Sequence, residues 1–334
     1  MKKQLSLKDI YQARYRIGGL IRKTPLVFSE ALSEKTKKNV YLKLETVQET
    51  GSFKSRGAAS KLLSLSEAEK KRGVIAFSTG NHGRAVAFMA RRMGIKATIC
   101  LSNRVPAYRV EGMRQLGAHV IQHGESQDEA YVFTLELREQ EGLTLINPFD
   151  DPQIIAGQGT IGIEILEELP EVDTAIVPVS GGGLISGVAL ALKTVNPDIK
   201  IIGVSPKVSP PMFASLKAGK PVEIEEKDSL ADALLGGIGL DNRYTFSMVR
   251  ALVDDMVLVE EDDIARGMIF AYEKHRLVIE GSGGVGLSAL LKDRVSDLGE
   301  NIVVVVSGGN VGIELHHEIM SKNCRGEEKN GFKF

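Results

Sequence analysis

Residues capable of chemistry gather in four short stretches of this chain. The first is Gly51-Ser52-Phe53-Lys54-Ser55-Arg56-Gly57, a lysine flanked by glycines that permit close approach of the backbone to a ligand. It follows an apolar run, Val40-Tyr41-Leu42-Lys43-Leu44, that reads as a strand, and precedes a segment from Ala58 to Leu65 that reads as a helix. Lys54 therefore falls in a loop or first helical turn, where the positive end of the helix dipole favours a neutral amine, the form that attacks carbonyl carbon. The second stretch, Ser78-Thr79-Gly80-Asn81-His82-Gly83, combines hydroxyls, an amide and an imidazole. The third, Ser180-Gly181-Gly182-Gly183-Leu184, leads three glycines into a helix, so several backbone N–H groups can face one anion. The fourth, Ser307-Gly308-Gly309-Asn310, ends an apolar run on a neutral hydroxyl.

A lysine nucleophile, an anion-binding glycine loop, an asparagine loop and a terminal serine are together what pyridoxal phosphate requires. Lys54 would bond its aldehyde, residues 180–183 its 5′-phosphate, and Ser307 its pyridine nitrogen. A hydroxyl does not keep that nitrogen protonated as a carboxylate would, so the ring is a weaker electron sink, suited to β-elimination more than to transamination. A fifth cluster, Gly281-Ser282-Gly283-Gly284-Val285-Gly286, has the G-x-G-x-x-G spacing of a dinucleotide fingerprint. The next strand, however, ends in Ser307, where an acidic residue should meet a ribose. A nicotinamide enzyme using this cluster and a binding protein without any cofactor are the competing readings.

Loops of this kind need a sheet to hold them. From residue 73 onward, short β-rich runs alternate with helical ones: strand 74–77, helix 81–93, strand 97–101, helix 106–116, strand 118–121 and helix 126–141. After a proline-rich turn at 147–152 the rhythm resumes with helix 155–168, strand 174–179, helix 183–194 and strand 200–204. Residues 205–239, with four prolines, interrupt it before strand 256–259, helix 262–274, helix 285–291 and strand 302–306 complete the count. This order predicts two α/β units built on parallel sheets, with three of the chemical loops following strands, where open sheets bind ligands. A helix over 7–22 opens the chain, and a polar tail over 321–334 ends it.

With 334 residues, 43% hydrophobic and 25% charged, a substantial core is available. A net charge of −1 with signs interspersed offers no field suited to nucleic acid or an anionic membrane, so a small molecule is the expected partner. No apolar run approaches membrane-spanning length and the start lacks a secretion signal, which points to a cytoplasmic protein. Two cysteines cannot staple such a chain, and the six histidines show no metal-ligand spacing.

In order and spacing, Ser52 to Gly57, Ser78 to Gly83, Gly181 to Leu184 and Ser307 to Asn310 resemble the fold-type II pyridoxal-phosphate enzymes, specifically the threonine dehydratase and serine racemase group. The likeness covers about residues 5 to 320. It implies a tryptophan synthase β-like fold with pyridoxal 5′-phosphate in the cleft between a large domain (1–72 and 150–320) and a small mobile domain (73–149), and a homodimer. By the same resemblance Lys54 is the Schiff-base lysine and Phe53 packs on the cofactor ring. Asn81 meets the ring hydroxyl, Ser180, Gly181, Gly182, Gly183 and Leu184 hold the phosphate, and Ser307 meets the ring nitrogen. Ser78, Thr79, Gly80, Asn81 and His82 grip the substrate. The implied activity is an ammonia-lyase that removes water from a β-hydroxy amino acid. Residues 230–246 are similar to the dehydratases of hydroxyectoine utilisation, which would make the substrate a 3-hydroxy amino acid of that pathway.

Three departures qualify the resemblance. Ser180 stands where many members carry a fourth glycine. Thr79 stands where the racemases carry the serine that serves as acid and base opposite the lysine, so Thr79 is the candidate for that catalytic role and racemisation is the alternative activity. Ser205-Pro206 replaces the acidic residue that opens a divalent-metal site in some members, so no metal is expected there. The chain also leaves no room for the regulatory module of biosynthetic threonine dehydratases.

Overall fold

Apolar runs of strand length, each returned to the same end of a sheet by a helix, pair in parallel and are buried on both faces. The computed structural model of the chain describes residues 5–105, 107–125 and 127–328. Helix α1 (Leu7–Ile17), strand β1 (Leu26–Phe28), helix α2 (Glu30–Thr36), strand β2 (Asn39–Leu44) and helices α3 (Lys54–Leu63) and α4 (Glu67–Arg72) come first. Strict alternation follows: β3 (Val74–Phe77), α5 (Asn81–Arg92), β4 (Ala97–Leu101), α6 (Ala107–Gln115), β5 (His119–Gln122), α7 (Gln127–Glu141), β6 (Thr144–Leu145). The remainder holds α8 (Pro152–Glu168), β7 (Thr174–Pro178), α9 (Gly183–Val195), β8 (Lys200–Pro206), α10 (Pro211–Ala218) and α11 (Thr245–Leu252). It closes with β9 (Asp255–Val259), α12 (Glu261–His275), α13 (Gly281–Leu291), β10 (Asn301–Val306) and α14 (Ile313–Glu328).

These strands form two sheets, ordered β1-β2-β10-β7-β8-β9 and β5-β4-β3-β6. Every pairing is parallel except that of the short edge strand β1 with β2. The chain thus makes two parallel-sheet α/β domains, and the smaller sheet is contributed wholly by the strands between Val74 and Leu145. Strands β7 and β4 are buried along their whole length, as sheets covered by helices on both sides require.

Helix α3, which starts at Lys54, is fixed from below. Arg56 is 1% exposed; its Nε donates to Glu45 Oε2 at 2.8 Å and its Nη1 to Glu164 Oε1 at 2.6 Å. Lys43, also buried, places Nζ 2.9 Å from Glu164 Oε2. Burial works against the Arg56 charge, but Glu45 and Glu164 outweigh it and hold the guanidinium protonated. The cluster clamps α3 to the end of β2 and to α8, and small residues let the two helices close: a Cβ on Gly157 would stand 2.6 Å from the Arg56 carbonyl oxygen.

The predicted alternation matches the observed one between β3 and α9 except for the two-residue strand β6, which it did not include. Sequence reading had no place for β1, α2, α4, α10, α11 or α14. It also began the helix after the 281–286 glycines at Val285, whereas those glycines form the first turns of α13 and are buried. Cβ atoms on Gly283 and Gly286 would meet the Gly308 carbonyl oxygen at 2.3 Å and Val304 Cγ1 at 2.7 Å, so these glycines serve close packing beneath β10 rather than a phosphate loop. That removes the nicotinamide reading. The predicted helix starts at Pro106 and Ser126 and the tail beyond residue 328 lie outside the described residues, while residues 321–328 belong to α14. Among the described residues no helix is long and apolar enough to cross a membrane, and no group of three or more His, Cys, Asp or Glu side chains is disposed to hold a metal ion.

Candidate active site

Lys54 is the first residue of α3, with Phe53 at the cap position. Its Nζ lies 5.2 Å from the centre of the Phe53 ring and donates to the Pro148 carbonyl at 2.8 Å. Burial lowers the amine to about 8 from the ordinary 10.5. The sequence argument assigned this effect to the helix dipole; in the structure desolvation is its cause.

Two main-chain contacts bring the end of β10 to this lysine. Phe53 N donates to the Ser307 carbonyl at 3.0 Å, and Ser52 pairs with Gly308 in an isolated bridge. Ser307 is buried, and its hydroxyl makes only a long bond of 3.4 Å to the Ser282 carbonyl.

The small domain supplies the 78–82 loop. Ser78, Thr79 and Gly80 are half-buried, and Gly80 N donates to Ser78 Oγ at 3.3 Å. Asn81 opens α5 and is held at both ends of its amide: Nδ2 donates to Glu280 Oε1 at 2.6 Å, and Oδ1 accepts from Asn310 Nδ2 at 2.6 Å. His82 is buried, with Nε2 2.8 Å from the Ile146 carbonyl. A carbonyl can only accept, so Nε2 carries the hydrogen and Nδ1, which has no partner among the described residues, is a bare acceptor. Burial, reinforced by Lys54, lowers His82 to about 3 and keeps the ring neutral.

The glycine loop sits at the start of α9, where the first amides have no partner within the helix. Gly182 adopts φ +87°, a left-handed conformation costly to any other residue. A Cβ on Gly181 would come within 2.2 Å of the Phe149 ring, and one on Gly183 within 2.9 Å of Phe149 backbone. Ser180 reaches the Leu235 carbonyl through a long bond of 3.4 Å, and Leu184 turns its side chain into the core and offers only its amide.

The connection between β6 and α8 ties these parts together. Ile146 meets His82, Pro148 meets Lys54 and Phe149 packs on Gly181 and Gly183. Asp150 accepts from the backbone N–H groups of Arg243, Tyr244 and Thr245, capping α11. Sequence reading took this segment for a simple turn. It also passed over Glu280, whose one signal is a lone acid between Ile279 and a run of small residues. Arg243 has an exposed side chain and engages Asp150 through its backbone.

The donor set fits a phosphorylated aldehyde. One end offers a desolvated amine, the other a helix start stripped of side chains, and between them lie an aromatic ring, an oriented amide and a loosely bonded buried hydroxyl.

Comparisons with known proteins agree. A family model described as pyridoxal-phosphate dependent enzyme matches residues 17–308. A Sinorhizobium fredii protein provisionally named a threonine dehydratase is 49% identical over 325 residues, covering 97% of this chain and 98% of its own. The catabolic L-threonine dehydratase of Escherichia coli K12 is 40% identical over 317 residues, covering 94% of this chain and 96% of its own. Among solved structures, maize serine racemase superposes with a TM-score of 0.90 at 35% identity, covering 98% of this chain and all (100%) of that one.

Proposed function

The chain belongs to the pyridoxal-phosphate dependent enzymes, in the threonine dehydratase and serine racemase family, and from that premise we propose that it is an ammonia-lyase. It eliminates water from a β-hydroxy amino acid of the L-threonine or L-serine type to give a 2-oxo acid and ammonia. The observation that carries this reading is the desolvated Lys54 amine set between the Phe53 ring, the end of β10 and the segment that packs on the glycine loop. Pyridoxal 5′-phosphate, when bound, supplies the electron sink that acidifies the substrate's α-hydrogen.

The residues divide the remaining work. Gly181 to Leu184 and the α9 start hold the phosphate by backbone N–H groups, with Ser180 at the margin. Phe53 supports the ring and Asn81 donates to its hydroxyl. Ser307, a neutral group, meets the ring nitrogen and leaves it without a full positive charge. The 78–82 backbone orients the substrate carboxylate. Lys54 is the base placed to take the substrate's α-hydrogen, and the resulting ammonium can return that proton to the departing β-hydroxyl. His82, held neutral and already donating to Ile146, is not the acid.

Residues 73–149 serve in this reading as the domain that closes on substrate, in a cytoplasmic homodimer. The finer assignment, a 3-hydroxy amino acid of hydroxyectoine breakdown, rests on the sequence likeness of residues 230–246 to the dehydratases of that pathway. These residues include the turn Asp232–Leu234, whose Asp232 pairs with Arg109 of α6 at 2.6 Å. Racemisation is the second reading. It is favoured by Thr79, a half-buried residue whose hydroxyl has no partner among the described residues. Oxo-acid release should be assayed from serine, threonine, 3-hydroxyaspartate and hydroxylated diaminobutyrate, with Lys54→Ala as control. Release from none of them, or undiminished release by the variant, defeats the proposal.

A further inference from the structure

Asn81 can address a cofactor ring only if its amide keeps one orientation, and three groups outside the reaction fix that orientation. Glu280 Oε1 accepts from Asn81 Nδ2 at 2.6 Å, Asn310 Nδ2 donates to Asn81 Oδ1 at 2.6 Å, and Asn310 Nδ2 also donates to the Thr50 carbonyl at 2.8 Å. With Oδ1 filled by a donor, the amide cannot flip, so its second N–H is left to point away from Glu280. We propose that Glu280 is a positioning residue that aims the Asn81 amide at the cofactor ring, an inference that rests on the function proposed above.

The surroundings of Glu280 are built for this task. It stands at the N-cap position of α13, is 6% exposed, and leaves no room beside it: a Cβ on Gly308 would lie 2.3 Å from its Oε1. It thus joins the small-domain helix carrying Asn81 to the loop that follows Ser307. The charged groups facing it are Asp232, from the turn Asp232–Leu234, and Arg109, from α6, which are themselves paired. Burial first, and then Asp232, raise the carboxyl to about 7; its bond to Asn81, the Asn310 backbone and Arg109 oppose them. The carboxylate accepts well from Asn81, while the protonated acid does so weakly. Asn81 is therefore held most firmly above this midpoint and loosened below it.

The test uses holoenzyme and the absorption of its bound cofactor between pH 5.5 and 8.5, with cofactor dissociation measured at pH 8. Wild type should show a spectral transition near pH 7, and Glu280→Gln should lose it and bind the cofactor about tenfold more weakly, the effect of one charge-assisted hydrogen bond. Asp232→Asn, which leaves Glu280 itself intact, should move the midpoint down, because it removes a like charge and frees Arg109. An unchanged spectrum, midpoint and affinity in Glu280→Gln overturns the inference, as does an unmoved midpoint in Asp232→Asn. Should Glu280→Gln not fold, the direction of the Asp232→Asn shift decides. If borohydride fixes no cofactor to Lys54 in wild type, the function proposed above has failed instead.

Discussion

The state of the Lys54 amine fixes how fast the protein captures an aldehyde, and this can be measured without any substrate. With the amine at about 8 instead of 10.5, about one molecule in ten carries the neutral form at pH 7, against about one in three thousand for an ordinary lysine, a gain of about 300-fold. The shift comes from burial alone, so charge screening should barely alter it. The assay mixes cofactor-free protein with pyridoxal 5′-phosphate between pH 6 and 10.5, quenches with borohydride at short times and quantifies the Lys54 peptide. The initial rate should rise tenfold per pH unit and level off near pH 8. Exposing the amine through Phe53→Ala should move that plateau upward. The sign follows from burial: it disfavours the ammonium, so the folded-state pKa falls below the unfolded one and stability rises with pH between about 8 and 10.5. A rate still climbing at pH 10, or a midpoint that follows ionic strength, would refute the reasoning.

Three further outcomes are expected. Arg56→Met leaves Glu45 charged without an ion-pair partner in the interior, and Glu164 with Lys43 alone, and should cost about 3–5 kcal/mol of unfolding free energy in denaturant titration, with a smaller loss for Arg56→Lys. Gly181→Ala must displace the Phe149 ring, and the resulting overpacking of about 1–3 kcal/mol should weaken cofactor binding by about 5- to 160-fold. Gly237→Ala, which has no contact closer than 3.9 Å, should bind normally in the same dialysis experiment. Thr79→Ala should lower any D-enantiomer formation, followed by chiral chromatography, by about a hundredfold while sparing oxo-acid release; equal loss of both would place Thr79 in elimination as well.

The parallel sheets were legible because their strands are continuous apolar runs and their helices have conventional lengths. Elements that escaped notice have specific reasons. Strand β1 is three residues long and half open to solvent, so it carries no alternating signal. Helix α10 begins on Pro211 inside a stretch whose prolines read as breakers, although proline at a first helical position is favoured. The glycines of α13 argue against a helix by propensity, and tertiary packing overrides them. Lys54, the glycine loop and Ser307 stood out because each belongs to a contiguous motif. Glu280 and Pro148 did not, because their meaning comes from partners Asn81 and Lys54, 199 and 94 residues away.

The ribbon from Ile146 to Asp151 answers to four neighbours in consecutive order: an imidazole, an amine, a stack of bare backbone and a helix cap. Lengthening or shortening it by a single residue would throw all four out of register together. Natural drift in substrate preference should therefore leave its length untouched and concentrate in segments bound by fewer obligations, such as Ser78 to Gly80 and the loop around Gly236 and Gly237. Directed evolution on this scaffold has the same two addresses to randomise and one to leave alone.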